Sequence, residues 1–268
     1  MSPDSPYAKF YRRSIDTPED FWAEQAQLID WQTPPSRILD DANPPFVNWF
    51  PGGTTNLCHN AVDRHLAQRG DQPALIHVST ETGTERTYTF RQLHEEVQRC
   101  AASLLSLGVR KGDRVLIYMP MIPQAAFAML ACARIGAIHC VVFGGFASGA
   151  LASRIEDAAP KLVVSADAGS RGGKVVAYKP LLDEAIRISK HKPEAVLLTD
   201  RGLAPMDLTP GRDHLDSDVA ARLSSTEVPC EWLDATDISY TIYTSGTTGR
   251  PKGVQRDTGG YAVALAAS

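Results

Sequence analysis

Short, mostly apolar runs alternate with amphipathic stretches from residue 115 to residue 243. The runs are rich in Val, Ile and Leu and too short for core helices, so they are predicted to be strands. The stretches between them carry apolar residues at helical spacing. This alternation predicts an α/β fold with a parallel sheet covered by helices on both faces. The predicted strands are 115–118, 137–143, 162–165, 195–198 and 238–243, and the predicted helices between them are 124–135, 149–158 and 178–189.

The first 110 residues follow a different pattern. Thr17-Pro18-Glu19-Asp20 predicts a helix start, with a hydroxyl cap, a proline and two acidic residues, and the helix is expected to run to about residue 30. After a proline-rich connector, a second helix is predicted over 56–68, ending at Gly70. Strands over 73–79 and 86–90 predict a hairpin, and Thr89 is expected to cap a long helix that ends at Gly108. Residues 200–234 are predicted to be rich in loops.

Composition restricts the classes of function. The chain is 43% hydrophobic and 22% charged with a net charge of −4, which is typical of a soluble globular protein and argues against general binding to nucleic acid or a membrane surface. Five cysteines without CxxC spacing favour reduced thiols in a cytoplasmic protein over disulfides or a zinc site. The apolar region from Val115 to Ala147 contains Pro120, Pro123 and Arg134, which predicts core rather than a membrane span.

The run from Tyr243 to Gly253 is the strongest candidate for chemistry. It directly follows a predicted strand, and glycines and hydroxyls let a loop approach and bind an anion closely. A surface turn is the alternative for such a composition. Pro251 stands where the GxxxxGK[ST] loop of P-loop NTPases requires its second glycine, so the run is not that motif. The candidate phosphate-binding residues are Thr244, Ser245, Gly246, Thr247, Thr248, Gly249 and Lys252.

Two further predicted strands are followed by glycine-rich segments. The strand ending at Phe143 leads into Gly144 and Gly145, and the strand ending at Ser165 leads into 167–174. In parallel sheets, ligands bind beyond the carboxyl ends of the strands. Arginine can contact phosphate in a bidentate manner, whereas lysine acts as a point charge. Taken alone, these residues are more typical of a glycine-rich turn with two solvated charges. The second set of candidates is Gly144, Gly145, Arg171, Gly172, Gly173 and Lys174.

The segment 244–253 resembles the phosphate-binding signature of acyl-adenylate-forming enzymes. Together with Gly259–Leu265 it is similar to acetyl- and propionyl-CoA synthetases, and Gln255-Arg256-Asp257 resembles the propionyl branch. The resemblance covers essentially the whole chain. It implies a helical N-terminal extension over 1–62 and an AMP-binding domain over 63–268. It also implies that 244–252 binds the phosphates of ATP with Mg²⁺, that 166–174 contacts the adenosine phosphate of coenzyme A, and that Gly144-Gly145 lines the path of coenzyme A.

The resemblance further implies a propionate–CoA ligase that forms propionyl-AMP and pyrophosphate, then propionyl-CoA and AMP. Acetate–CoA ligase is the nearest alternative, because the acyl pocket of the family lies further along the chain. The catalytic residues and the mobile C-terminal domain are likewise expected beyond Ser268, so the chain is expected to be an inactive N-terminal part of the large domain. A non-catalytic nucleotide- or CoA-binding module is the alternative of another class. Neither a resident metal cluster nor a Ser-His-Asp arrangement is predicted.

Overall fold

The computed structural model describes residues 4–244 and 251–268. Its helices are α1 (Pro6–Asp16), α2 (Pro18–Gln25), α3 (Leu57–Ala61), α4 (Leu66–Arg69), α5 (Phe90–Ser106), α6 (Pro123–Ile135), α7 (Ser148–Ala158), α8 (Tyr178–Ile188), α9 (Asp216–Ala220) and α10 (Thr258–Ala266), with short 3-10 helices at Ala26–Leu28 and Asp63–His65. Its strands are β1 (Leu39–Asn43), β2 (Phe46–Trp49), β3 (Thr54–Thr55), β4 (Pro73–Ser79), β5 (Thr84–Thr89), β6 (Arg114–Met119), β7 (Ile138–Phe143), β8 (Leu162–Ala166), β9 (Ala168–Arg171), β10 (Lys174–Ala177), β11 (Ala195–Thr199), β12 (Asp213–Leu215), β13 (Leu233–Asp234), β14 (Ile238–Thr244) and β15 (Lys252–Asp257).

The central sheet has the strand order β12-β11-β8-β6-β7-β14-β15. Neighbouring strands are parallel from β12 to β14, and β15 runs antiparallel to β14 at the edge. The predicted α/β class with a mainly parallel sheet is therefore confirmed. Because the strands from β12 to β14 are parallel, their carboxyl ends meet at one edge of the sheet. The last residues of β6, β7, β8, β11 and β14 at this edge are Met119, Phe143, Ala166, Thr199 and Thr244.

Strand β6 explains why the apolar runs are nearly uninterrupted. Val115 and Ile117 contribute to a core cluster shared with residues of α5 and α6, whereas Leu116 and Tyr118 contribute to a second cluster with residues of α7 and α8. All four residues are at most 1% exposed. Successive side chains of a strand point to opposite faces, so burial on both faces requires apolar residues at every position. Each such side chain stabilises the fold by roughly 1.5–3 kcal/mol.

Local signals fix the ends of the long helices. The Thr89 hydroxyl accepts from the Gln92 amide at 3.2 Å, and the Gln92 side chain accepts from the Thr89 amide at 3.0 Å. This reciprocal pair caps α5 as the sequence predicts. Gly108, with φ +91°, follows the helix, and Gly136, with φ +71°, ends α6. Glycine adopts a left-handed backbone conformation at little energetic cost, so each of these glycines is an effective end point for its helix.

The N-terminal segment is joined to the main unit rather than separate from it. Strand β3 pairs with β13, and Phe50 packs in one cluster with Ala262 and Val263 of α10. Helix α1 was not predicted, and Thr17 donates its hydroxyl to the Arg13 carbonyl instead of capping α2. The predicted helix 56–68 is interrupted after Ala61 by a short 3-10 turn, so that prediction was wrong in its continuity.

Two hairpins near the carboxyl edge were also not predicted. Strands β9 and β10 form one, and β14 and β15 form the other. Segments 168–174 and 252–257 contain charged residues and glycines and lack the apolar run that predicts a buried strand. Edge strands need no such run, so the sequence pattern did not predict them. Within the described ranges, none of the helices combines the length and apolarity required to cross a bilayer.

Candidate functional site

The first candidate segment connects β14 to β15 at the carboxyl edge of the sheet. Thr244 is the last residue of β14 and pairs in antiparallel register with Lys252, the first residue of β15. The Lys252 side chain is exposed. Backbone pairing therefore holds the hydroxyl of Thr244 and the cation of Lys252 at the two ends of one connection. The other candidates of this segment, Ser245, Gly246, Thr247, Thr248 and Gly249, lie outside the described residues.

Helix α7 anchors the strand that leads into this segment. The Tyr243 hydroxyl donates to the Asp157 carboxylate at 2.9 Å. Burial, and then the neighbouring carboxylate, raise the pKa of Tyr243, so the phenol remains a donor at neutral pH. This hydrogen bond therefore ties the end of β14 to the last turn of α7.

Arg154 of α7 connects this segment to the one that follows β7. Its guanidinium carbon lies 4.1 Å from the ring centroid of Phe146 and 5.6 Å from that of Tyr243. Its Nη1 donates to the Ala150 carbonyl at 2.6 Å, while its Nε is buried and has no hydrogen-bond partner in the described structure. Burial lowers the pKa of Arg154. The two rings therefore partly replace the water that the cation has lost.

The segments that follow β7 and β8 meet at Tyr178. A Cβ atom on Gly144 would lie 2.5 Å from the Tyr178 hydroxyl and 2.8 Å from the Met119 carbonyl, and one on Gly169 would lie 2.6 Å from the same hydroxyl. Only glycine avoids these overlaps. The absent Cβ of Gly144 thus makes room for a tyrosine of the protein itself, a packing reason that the sequence did not reveal.

Two tyrosines whose rings pack at a tilt support this junction. The rings of Tyr118 and Tyr178 lie 4.9 Å apart, and the Tyr118 hydroxyl donates to the Phe146 carbonyl at 3.0 Å. Burial raises the pKa of Tyr118 to about 12 and also raises that of Tyr178. Both phenols are therefore neutral at physiological pH, and Tyr118 fixes the backbone just beyond Gly145.

The third candidate segment is a hairpin rather than an open loop. Arg171 ends β9 and pairs with Lys174, the first residue of β10. Between them, Gly172 and Gly173 have φ values of +58° and +77°. Two left-handed central residues define a two-residue hairpin turn whose twist matches that of its strands. The Lys174 side chain is exposed, and the side chain of Arg171 lies outside what the structure describes.

An ion pair between two residues that are distant in sequence anchors this hairpin. Glu81, in the turn after β4, accepts from the Ser170 amide at 2.8 Å and from Arg201 at 2.6 Å. Arg201 also donates to the Ala168 carbonyl at 2.8 Å. Burial opposes ionisation of Glu81, but these two donors lower its pKa overall. Sequence reasoning missed Glu81 and Arg201 because one lies in a predicted turn and the other in a predicted surface loop.

Asp167 provides a second anchor at the base of the hairpin. Its carboxylate is fully buried and accepts from the amides of Ala168, Leu203 and Ala204 at 2.7, 2.7 and 3.2 Å. Asp167 forms no ion pair within residues 4–244 and 251–268, and backbone donors of this kind stabilise such a buried carboxylate. All three predicted segments thus begin at the carboxyl edge of one sheet, and polar or aromatic contacts support the described residues of each.

Comparisons with protein families divide the chain into two matched regions. A family model described as "AMP-binding enzyme" matches residues 62–268, and one described as "Acetyl-coenzyme A synthetase N-terminus" matches residues 7–61. The first match includes all three candidate segments.

Individual relatives agree with these matches. The chain is 60% identical to the propionate–CoA ligase of Escherichia coli K12 over 98% of its own length and 42% of that protein. It is 46% identical to the acetyl-coenzyme A synthetase of Methylorubrum extorquens over 97% of its own length and 40% of that protein. The solved acetoacetyl-CoA synthetase from Streptomyces lividans superposes with a TM-score of 0.86 at 30% identity, covering 99% of this chain and 40% of that one. The chain thus spans about two fifths of the length of these relatives.

Proposed function

The chain belongs to the AMP-binding enzyme family, and from this premise we propose that it supplies part of an ATP-dependent short-chain acyl-CoA synthetase. In this proposal residues 1–62 are an N-terminal extension and residues 63–268 belong to the AMP-binding domain. The observation that carries the proposal is that the three glycine-rich segments follow strands β7, β8 and β14, whose carboxyl ends share one edge of a parallel sheet. Such an edge is where α/β sheets bind nucleotides.

The proposed reaction has two steps. A carboxylate oxygen attacks the α-phosphorus of ATP, the bond to the β-phosphate breaks, and pyrophosphate leaves with acyl-AMP remaining. The thiol of coenzyme A, losing its proton, then attacks the acyl carbon and AMP leaves. The first step brings two anions together, so it depends on positioning and on neutralisation of charge.

We assign the ATP phosphates to Thr244, Ser245, Gly246, Thr247, Thr248, Gly249 and Lys252. The antiparallel pairing of Thr244 with Lys252 supports this assignment, because it presents a hydroxyl and a mobile cation at one opening. The hydroxyl oxygen of Thr244 is a hard ligand that fits Mg²⁺, which would accompany ATP and share the charge of its phosphates. Lys252 would stabilise the negative charge that accumulates on pyrophosphate as it leaves.

We assign coenzyme A to Gly144, Gly145, Arg171, Gly172, Gly173 and Lys174. The two-residue turn supports the assignment, because it places residues 171 and 174 side by side at the exposed end of a hairpin. Two neighbouring cations suit a phosphate monoester such as that on the adenosine ribose of coenzyme A. Tyr178, packed against Gly144, would form the wall between this site and the core.

We propose propionate as the preferred acid and acetate as the slower alternative. Gln255-Arg256-Asp257 and the 60% identity to a propionate–CoA ligase support this order, although an acetyl-coenzyme A synthetase is 46% identical. Acid-dependent pyrophosphate exchange by the complete gene product, measured with straight-chain acids from two to six carbons, tests it. The highest kcat/KM is expected with propionate. Equal or better exchange with acetate would reassign the substrate.

We further propose that residues 1–268 alone do not catalyse the synthesis of acyl-CoA, since the relatives are more than twice as long. Synthesis of acyl-CoA by the purified 268-residue chain would contradict this. Binding of ATP or coenzyme A by a complete gene product that catalyses no exchange would favour the alternative of a non-catalytic binding module. The five free cysteines fit our proposal of a cytoplasmic protein.

A further inference from the structure

Two cysteines from opposite ends of the chain meet beside the core. Cys58 lies in α3, and Cys230 lies in the loop before β13. Their sulfur atoms and a carboxylate oxygen of Asp63 all lie within 4.8 Å of one another. Asn56, next to α3, joins the two segments because its side-chain Nδ2 donates to the Glu231 carbonyl at 2.7 Å. The same nitrogen also donates to the Ala133 carbonyl of α6 at 2.8 Å.

A buried arginine contacts two members of this cluster, Asp63 and Cys58. Arg134 Nη1 lies 2.9 Å from Asp63 Oδ2 and 3.5 Å from the sulfur of Cys58. The Arg134 side chain is only 4% exposed. A metal ion bound by the two sulfurs and Asp63 would have to displace this ion pair and leave a buried guanidinium without its carboxylate, which is strongly unfavourable. The guanidinium of Arg134 therefore already supplies the positive charge that balances Asp63 in this cluster.

The thiolate is the form of cysteine that reacts with disulfides. The two thiols differ in access: Cys58 is fully buried, and Cys230 is partly exposed. A hydrogen bond with Cys230, followed by burial, raises the pKa of Cys58. An oxidant from solution therefore reaches Cys230 first, and Cys58 stands directly behind it.

We propose that Cys58 and Cys230 are a redox-active pair that closes to a disulfide with a low-molecular-weight disulfide such as oxidised glutathione. The Cys230 thiolate attacks one sulfur of the oxidant and expels a glutathione thiolate, which leaves a mixed disulfide. The Cys58 thiol then loses its proton and attacks the Cys230 sulfur, which expels the second glutathione. Two protein thiols are oxidised, and one oxidised glutathione is reduced to two glutathione molecules.

The test treats the native purified protein with oxidised glutathione, blocks the remaining thiols with N-ethylmaleimide, and maps tryptic peptides by mass spectrometry without reduction. Peptides 38–64 and 223–252, which contain Cys58 and Cys230, are expected to appear joined and lighter by two hydrogen atoms than their sum. Reduction should separate them. The pair should be consumed before Cys132 and Cys140, whose thiols are fully buried.

Variants separate the two chemical steps. Cys58→Ser lacks the resolving thiol, so one glutathione is expected to stay on Cys230. Cys100→Ser, a matched control at another partly buried cysteine, should leave the 58–230 link intact. The proposal is overturned if the wild-type protein keeps glutathione on Cys230 with Cys58 blocked by maleimide, or if maleimide occupies both. Because the wild-type map decides this alone, the result does not depend on the folding of a variant or on the proposed ligase activity.

Discussion

Removing the Lys252 side chain is the most informative single perturbation of the proposed ATP site. Lys252 is exposed, and its pairing with Thr244 is through the backbone, so Lys252→Ala should leave β15 in place. A charge-assisted contact to phosphate contributes roughly 1.5–3 kcal/mol, which corresponds to a decrease of about 10- to 150-fold in the rate of adenylation. The loss should appear in kcat for adenylation, because charge on pyrophosphate grows as the bond to the α-phosphate breaks.

The assay compares the two half-reactions in the complete gene product. Acid-dependent pyrophosphate exchange reports adenylation, and release of AMP from added acyl-AMP and coenzyme A reports thioester formation. Only the first should slow in Lys252→Ala, and Lys252→Arg, which keeps the charge, should recover part of the rate. Lys190→Ala is the control for net charge, because Lys190 is 89% exposed. An unchanged rate of exchange in Lys252→Ala would show that the lysine is a solvated residue and would refute the assignment.

Three further outcomes test other parts of the site. Arg171→Ala should raise KM for coenzyme A about tenfold or more and leave the rate of adenylation unchanged. The variant should also lose most of the preference for coenzyme A over dephospho-coenzyme A in a kinetic comparison. Full retention of that preference would show that the phosphate on the ribose of coenzyme A binds elsewhere. Gly144→Ala should destabilise the protein by roughly 1–3 kcal/mol in urea unfolding, because its Cβ would overlap the Tyr178 hydroxyl and the Met119 carbonyl; an unchanged midpoint would refute that packing role. Glu81→Gln should lower the free energy of unfolding at pH 7 and have less effect near pH 3. Folding lowers the pKa of Glu81, so its carboxylate stabilises the folded protein above the unfolded pKa. This stabilisation is lost as the pH falls through the folded pKa. Equal losses at both pH values would contradict this.

The periodic part of the sequence predicted the sheet because its cause is local. Leu116 and Ile117 face opposite layers of helices, so burial demands apolar residues at consecutive positions. The same holds for the cap of α5, where Thr89 and Gln92 lie within one turn. Such signals depend on neighbours in the chain and can be read without knowing the fold.

The anchors of the candidate site could not be predicted because their partners are distant in sequence. Glu81 meets Arg201 only after the turn of the β4–β5 hairpin packs against the loop that follows β11, and neither residue has a local pattern. The role of Gly144 likewise depends on Tyr178, which belongs to another element. Cys58 and Cys230 give no spacing signal at all, and only the fold brings them together. The sequence predicted the segments, and the fold supplied their supports.

Oxygen transfer from the acid to AMP tests the central proposal most directly. In acyl-adenylate chemistry, a carboxylate oxygen becomes the bridge to the α-phosphorus and stays on AMP when coenzyme A displaces it. The complete gene product, supplied with ¹⁸O-labelled propionate, ATP, Mg²⁺ and coenzyme A, should therefore produce AMP that carries one ¹⁸O atom per turnover, detectable by mass spectrometry. Formation of ADP with the label in inorganic phosphate, or of AMP without label, would contradict the assignment of this chain to an acyl-adenylate-forming ligase.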